Sequence, residues 1–457
     1  MGVLISQDVI TLNILKSRVN SRLFCYNIRM QKVNVIGGGL AGSEACYFLL
    51  KQGYEVHLYE KRPKSMTPAH HTGLFGELVC SNSLKSKRLD NACGLLKEEM
   101  RHLGSIMMEA ALETEVPSGN ALSVDRGRFA EKITAILGSF PNFHVHYEDV
   151  KEPKEGVTII ATGPLTSEGL ALYLMKQVGQ ESLFFFDASA PIIKRDSINM
   201  EIAYKKARYD QGDDSYINCP FSEEQYNKFY DELTHAELAM IHDFDKNYFE
   251  GCMPIEVMAK RGRDTLRYGP MKPKGLQMMD RPKAYAVVQL RQDNQFGDLF
   301  NIVGFQTNLT YPEQKRVFRM IPGLENAEFV RYGLMHKNMY LCSPLILNDH
   351  LQMKTDSNVF LAGQLIGVEG YVESAAMGIL AAIYAYEKLE NKSFPDLPLN
   401  TMIGSLKNYV IHANPKDFSP MNANFGIFYG ASSCPREELA SRSLQLIDEW
   451  KEKLNVK

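Results

Sequence analysis

Apolar residues near the start of the chain fall in short, continuous runs separated by glycine. Val33-Asn34-Val35-Ile36 reads as a buried strand, six residues rich in glycine follow, and Ser43 to Gln52 then carries Ala45, Phe48 and Leu49 on one helical face. Gly53 ends that helix, and Glu55 to Glu60, apolar at Val56, Leu58 and Tyr59, predicts a second parallel strand closing on an acid. Strand, helix and strand make a complete βαβ unit. From Lys61 to Ser86 the pattern breaks down around Pro63, Pro68, His70 and His71, which predicts an active-site loop. A helix is expected from Gly94 to Ala111 and a buried strand from Val157 to Gly163. Beyond about Phe186 tyrosines and charged residues persist to about Leu341. Strand-and-glycine character returns at Val359-Phe360-Leu361-Ala362-Gly363-Gln364, followed by a small-residue helix from Ser374 to Tyr386. The expected fold is α/β, a split Rossmann-type nucleotide-binding domain with an inserted α+β domain. Its parts are residues 30–185 and 342–457, with the insertion at 186–341 and an atypical extension at 1–29.

Composition narrows this further. With 457 residues, 45% of them hydrophobic, the chain can bury a large core. A balance of 51 Lys plus Arg against 54 Asp plus Glu, net charge −3, excludes coating of nucleic acid by bulk charge, so any such contact is a local patch. Eight cysteines in so long a chain suggest a reducing compartment, and a cytoplasmic location is expected. The longest apolar helical run, Ala375 to Tyr386, is short of the ~20 residues that cross a bilayer. Lys16, Arg18, Arg22 and Arg29 lie ahead of Met30 without a compact apolar region or small-residue cleavage site, which favours an upstream start or a poorly ordered extension over a signal peptide.

The chemistry concentrates in a few places. In Gly37-Gly38-Gly39-Leu40-Ala41-Gly42, the first glycine turns the chain, Gly39 lets backbone approach a pyrophosphate, and Gly42 lets the helix pack on the strand. Glu60, 18 residues past Gly42, stands where a carboxylate accepts from ribose hydroxyls. Further strand-to-glycine elements at Ala161-Thr162-Gly163 and Gly363-Gln364 favour FAD over NAD as the resident dinucleotide. Cys80, in Leu78-Val79-Cys80-Ser81-Asn82-Ser83, lies in the polar loop, with Lys85, Lys87 and Arg88 expected to favour its thiolate. Cys252, between Gly251 and Met253-Pro254, has Lys260 and Arg261 close in sequence; a thiolate there could attack C6 of a pyrimidine and make C5 nucleophilic. The other six cysteines are assigned to packing. No metal site is expected, since no C-x-x-C pair occurs and His70-His71 has no partner cluster. Eight basic residues between Lys260 and Lys283, including Arg261, Arg263, Arg267, Lys272 and Lys274, surround Tyr268. They form either an RNA-binding edge or a solvated strip.

With those residues in view, the chain closely resembles the bacterial folate- and FAD-dependent tRNA uracil-5-methyltransferase family (TrmFO). The matching strings include the GGGLAG turn, TPAHHT with ELVCSNSL, LLKEEMRHLGS, VDRGRF, FEGCMPIEVMAKRG, AVVQLRQDN, AGQLIGVEGYVESAAMG and PMNANFGI, spanning Val33 to about Ile427. The resemblance implies methyl transfer to a uridine of RNA, foremost the T-loop uridine of tRNA, giving 5-methyluridine. Methylenetetrahydrofolate supplies the carbon, FAD carries and reduces it, and NADH or NADPH reloads the flavin. It implies that Cys80 and Cys252 share the attack on uracil and an assisting role, and that Arg291 lies near the flavin, holding folate or stabilising flavin charge. Gly73, Gly76 and Asn308 depart from the family pattern, as does Phe428-Tyr429-Gly430 after Ile427. Three alternatives stay open: the same chemistry on ribosomal RNA, a non-catalytic FAD-containing RNA-binding protein, and the related wobble-uridine family of glucose-inhibited division protein A, which carries a long helical C-terminal extension. The oligomeric state is not implied by these residues.

Overall fold

The computed structural model describes residues 31–179, 183–210, 215–239, 253–280, 282–393, 395–430, 434–454 and 456; the N-terminal extension, Cys252 and Arg281 lie outside them. Five parallel strands form the central sheet in the order Val359–Leu361, Thr158–Ile160, Lys32–Ile36, Glu55–Glu60 and Phe143–Tyr147. Lys32–Ile36 is central and buried after its first residue, as its near-continuous apolar run requires. The following helix runs Leu40–Gln52, three residues earlier than the apolar periodicity suggests, because the glycines themselves complete the turn and Gly39 is its N-cap.

The late helix, Tyr371–Glu390, is also longer than its small-residue stretch and crosses the first helix at close range. A Cβ on Gly378 would collide with the Ala41 carbonyl, and one on Gly363 would lie 3.0 Å from the Ala41 Cβ. Residues more than 300 positions apart therefore share one core. The single helix expected over 94–111 is two, Ala92–His102 and Ile106–Glu113. Gly104 at φ +81° breaks the run, and Ser105 caps the second helix by accepting from Met108 N. The irregular loop from Lys61 ends in a short strand, Ser83–Ser86, which pairs with Ala121–Val124.

The intervening segment builds a six-stranded antiparallel sheet, ordered Tyr204–Lys205, Ile217–Phe221, Ala286–Gln292, Leu299–Ile302, Ile192–Lys194 and Phe329–Arg331. Its core is separate and rich in aromatics, with Phe221, Tyr226, Phe229, Phe305 and Phe318 fully buried. An antiparallel pair, Leu183–Ala188 with Met335–Tyr340, carries the chain out to this sheet and back. Among the described residues, no helix is long and apolar enough to cross a membrane.

Candidate active site

A cleft opens at the carboxyl ends of the parallel strands, lined by Gly37, Gly39, Glu60, Arg62, Thr162 and Ser167 among others. Gly37 sits at φ +103°, and a Cβ there would meet the Ala161 carbonyl oxygen at 2.7 Å; one on Gly42 would collide with the Gly37 carbonyl. A Cβ on Gly39, by contrast, would meet nothing within 4 Å. The turn is therefore closed on its protein side and open towards the cleft. No side chain caps the helix that starts at Leu40, so its first N–H groups and its positive dipole end suit a pyrophosphate. Leu40 and Ala41 are buried in that first turn. The residues present thus fit FAD's dinucleotide portion.

Glu60 ends the second strand almost wholly buried. It accepts from Gly38 N at 2.7 Å and, through both oxygens, from Arg62 Nε and Nη2 at 3.1 Å each. Burial works against its charge, but the Arg62 guanidinium and the backbone donors prevail and hold the carboxyl below its ordinary value. Arg62 went unnoticed in sequence because nothing in its spacing shows that it folds back onto the acid. Thr67 and His70 also line the cleft, their Oγ1 and Nδ1 2.6 Å apart. Burial, aided by Arg62, pushes the His70 imidazole down to about 4, so it stands neutral at physiological pH. Thr162 lines the same cleft, with Gly163 beside it at φ +65°. Gly363 instead packs against Ala41, and Gln364 donates to Glu369; neither lines this cleft.

The Cys80 loop is clamped from four directions. The Tyr371 hydroxyl accepts from Cys80 N at 2.6 Å and from Ser81 N at 3.1 Å. Arg126 donates to the carbonyls of Leu78 and Cys80, both at 3.2 Å, and Arg331 to that of Val79. Arg291 reaches the Asn82 side chain through Nε at 3.1 Å and Ser81 Oγ through Nη2 at 2.7 Å. Arg291, named in the sequence only by the family resemblance, is thus hydrogen-bonded to Ser81, the residue next to Cys80. Burial lowers the Arg291 guanidinium from its usual value, and burial with Arg126 nearby does the same to Arg331. The Cys80 thiol is half-buried and lies 3.6 Å from the Ala188 carbonyl.

The charges expected beside Cys80 are elsewhere. Lys85 pairs with buried Glu373 at 3.0 Å, Lys87 with Glu115 and Arg88 with Asp90. Besides Arg291, the fold brings Arg126 and Arg331 to this loop, and their distance in sequence hid them.

The basic strip divides. Arg263 donates to Asn227 and Asp231 and lies over the Tyr230 ring; Arg267 pairs with Asp264 and stacks 3.5 Å from the Tyr285 ring centroid. Lys260 ends the short helix Ile255–Lys260, which Arg261 caps. Arg267, Lys272 and Lys274 line an open cleft with Lys283 and Tyr268, a residue 79% exposed. Arg208 braces this edge, donating to the Lys274 carbonyl and to Gln289 on the strand that carries Arg291.

The sequence pattern of the family described as "Glucose inhibited division protein A" matches residues 32–393. The chain is 52% identical over 432 residues to a Lactobacillus johnsonii protein named methylenetetrahydrofolate--tRNA-(uracil-5-)-methyltransferase TrmFO, covering 93% of this chain and 99% of that protein. A Listeria monocytogenes protein of the same name is 53% identical over 432 residues, with 93% and 100% covered. Among solved structures, Aquifex aeolicus GidA superposes with a TM-score of 0.69 at 17% identity, over 94% of this chain and 74% of that one. That likeness concerns the fold.

Proposed function

Since the chain belongs to the glucose inhibited division protein A family and, within it, to the TrmFO methyltransferases, we propose that it forms 5-methyluridine in tRNA, at the T-loop, from methylenetetrahydrofolate with NADH or NADPH as reductant. When bound, FAD supplies the relay that accepts the folate carbon and reduces it to a methyl group. The glycine turn and the uncapped helix at Leu40 hold the pyrophosphate, and Glu60, kept ionised by Arg62, takes the adenosine ribose.

The observation that carries this reading is the clamped loop, in which a half-buried cysteine sits on a backbone fixed by Arg126, Arg331, Arg291 and Tyr371. Fixing the backbone sets the position of the Cys80 thiol, which lies 3.6 Å from the Ala188 carbonyl. Cys80 and Cys252 divide two tasks. One thiolate adds to uracil C6, which makes C5 a nucleophile, and the other removes the C5 proton once the new bond has formed; the first thiolate then leaves C6. Arg291, Arg126 and Arg331 place positive charge where the uracil O4 enolate and the anionic folate tail gather negative charge. Lys272, Lys274 and Tyr268 meet the RNA, the lysines on phosphates and the ring on an unpaired base.

The test is incubation with unmodified tRNA and with ribosomal RNA, labelled methylenetetrahydrofolate and NADH, followed by mapping of the labelled nucleotide. Label at a T-loop uridine is expected. Label only in ribosomal RNA would move the same chemistry to another substrate, and no label in either would leave an FAD-containing RNA-binding protein.

A further inference from the structure

The outer edge of the parallel sheet carries histidines that the cofactor cleft does not use. Strand Glu55–Glu60 pairs in parallel with strand Phe143–Tyr147, with His57 opposite His144 and Tyr59 opposite His146. Paired residues in a sheet point to the same face, and so do residues two apart. The register therefore brings Glu55, His57, His144 and His146 to one face, on the side away from buried Val56 and Leu58.

The contacts within this group are short. His57 Nε2 lies 2.9 Å from Glu55 Oε1 and His57 Nδ1 lies 2.8 Å from His146 Nε2, while His144 Nε2 is 3.5 Å from the same Glu55 oxygen. One ligand atom each from Glu55, His57 and His144 falls within a 4.8 Å span. A tetrahedral zinc site with bonds of ~2.0–2.1 Å sets its ligand atoms roughly 3.3 Å apart, a spacing that the 2.9 and 3.5 Å contacts bracket.

We propose that Glu55, His57 and His144 bind a divalent transition cation of the zinc class, with water completing the coordination. Two neutral imidazoles and a carboxylate suit zinc, cobalt or nickel and are poor partners for magnesium or calcium, which take oxygen ligands. His146 acts behind the ligands. For His57 to offer the Nε2 lone pair, its ring proton moves to Nδ1, where His146 Nε2 accepts it, and His146 is itself stacked on Tyr59 at 4.7 Å. Side-chain exposures of 35% for Glu55 and 44% for His144 leave a route from solvent, while His57 is held at 14%.

The site would rivet the edge strand to its neighbour. Tyr59 and Glu60 at the end of one strand, and Glu148 and Asp149 just past the other, line the cofactor cleft, so the cation fastens the two strands that form one wall of it. The sequence gives no local sign of this, since His57 and His144 lie 87 positions apart and only the register joins them.

The experiment uses the untagged, FAD-loaded full chain, stripped of metal with a chelator. Titration with Zn²⁺ by calorimetry should show one saturable site per chain, and Co²⁺ should give the ligand-field absorption and X-ray absorption distances of a four-coordinate nitrogen–oxygen site. His144→Gln and Glu55→Gln should each weaken zinc binding at least ~10-fold and abolish the zinc-induced rise in melting temperature, without loss of flavin. Zinc affinity unchanged in both variants would overturn the assignment, as would a sulfur-ligand signature for cobalt or the absence of saturable binding in the parent protein.

Discussion

The Arg126 guanidinium grips the Asp293 carboxylate through Nε at 3.1 Å and Nη2 at 2.9 Å, with only 13% and 5% of the two side chains exposed. Arg126 opens the helix Arg126–Gly138 beside the parallel sheet, and Asp293 follows the strand Ala286–Gln292 of the antiparallel sheet. The pair joins the two halves of the molecule directly under the Cys80 loop. Burial opposes the guanidinium's charge, but Asp293 more than restores it. Removing one partner strands a buried charge, so Asp293→Ala should cost about 3–5 kcal/mol of stability. It should also lower methyl transfer more than FAD content, measured by thermal melting, turnover and flavin absorbance on one preparation. Unchanged melting would show that water or another acid replaces Asp293.

Cys80→Ala should reduce methylation on the order of a thousandfold or more and leave the protein yellow, because the loop backbone is held through groups that the substitution keeps. Cys252→Ala should do the same. Normal turnover in either variant would remove that cysteine from the proposed chemistry.

Lys272 and Lys274 line the open cleft beside Tyr268, whereas Arg263 is already engaged by Asn227 and Asp231. Lys272→Glu with Lys274→Glu should weaken RNA binding and flatten its dependence on log salt by about one unit for each lysine. Arg263→Ala should change RNA affinity little. Equal effects from both changes would mean that the surface binds RNA as a continuous strip.

Two wholly buried acids make stability depend on pH. Glu44 accepts the N–H groups of Ile106 and Met107, and Glu99 those of Met402 and Ile403. Burial, against the pull of those donors, raises each carboxyl to about 7. A raised acid keeps its proton in the folded state after the unfolded chain has lost it. Its stabilising share is full below about 4.5 and is lost as pH climbs through about 7, at up to ~1.4 kcal/mol per pH unit. His70, lowered to about 4, acts oppositely, adding stability as pH rises from about 4 to 6.5. Comparing variants isolates the acids. Glu44→Gln and Glu99→Gln should gain on the parent as pH goes from 5 to 8 in denaturant melts, and a constant difference would show that the carboxylates are comfortably ionised in place.

The parallel sheet was legible because buried strands are uninterrupted apolar runs and the turn between the first two needs its glycines for steric reasons that hold in any context. Helix ends were less so. Gly104 alone decides that one helix becomes two, and periodicity continues across it. At the candidate site, Cys80 and Glu60 stand out locally and Arg291 only through the family resemblance, but what surrounds them does not. Arg126 lies 46 residues from Cys80, Arg331 is 252 from Val79, and Tyr371 is 291 from Cys80. Conversely, the nearest cations in sequence are claimed by acids, Lys85 and Lys87 by Glu373 and Glu115, which only the fold supplies, and Arg88 by its neighbour Asp90. Charge close in sequence was a poor guide to charge close in space.

The strands Leu183–Ala188 and Met335–Tyr340 run antiparallel with Leu183 opposite Tyr340. Where the outgoing chain begins this ribbon, the returning chain ends it, roughly one strand spacing, ~4.8 Å, away. A detour of some 150 residues therefore leaves and rejoins the parallel sheet at almost the same point, and the sheet need not stretch to accommodate it. A different lobe on the same two-stranded stem would meet the parallel sheet at the same point, but it would also have to supply anew Arg291 and Arg331, the guanidiniums that reach across to hold the Cys80 loop.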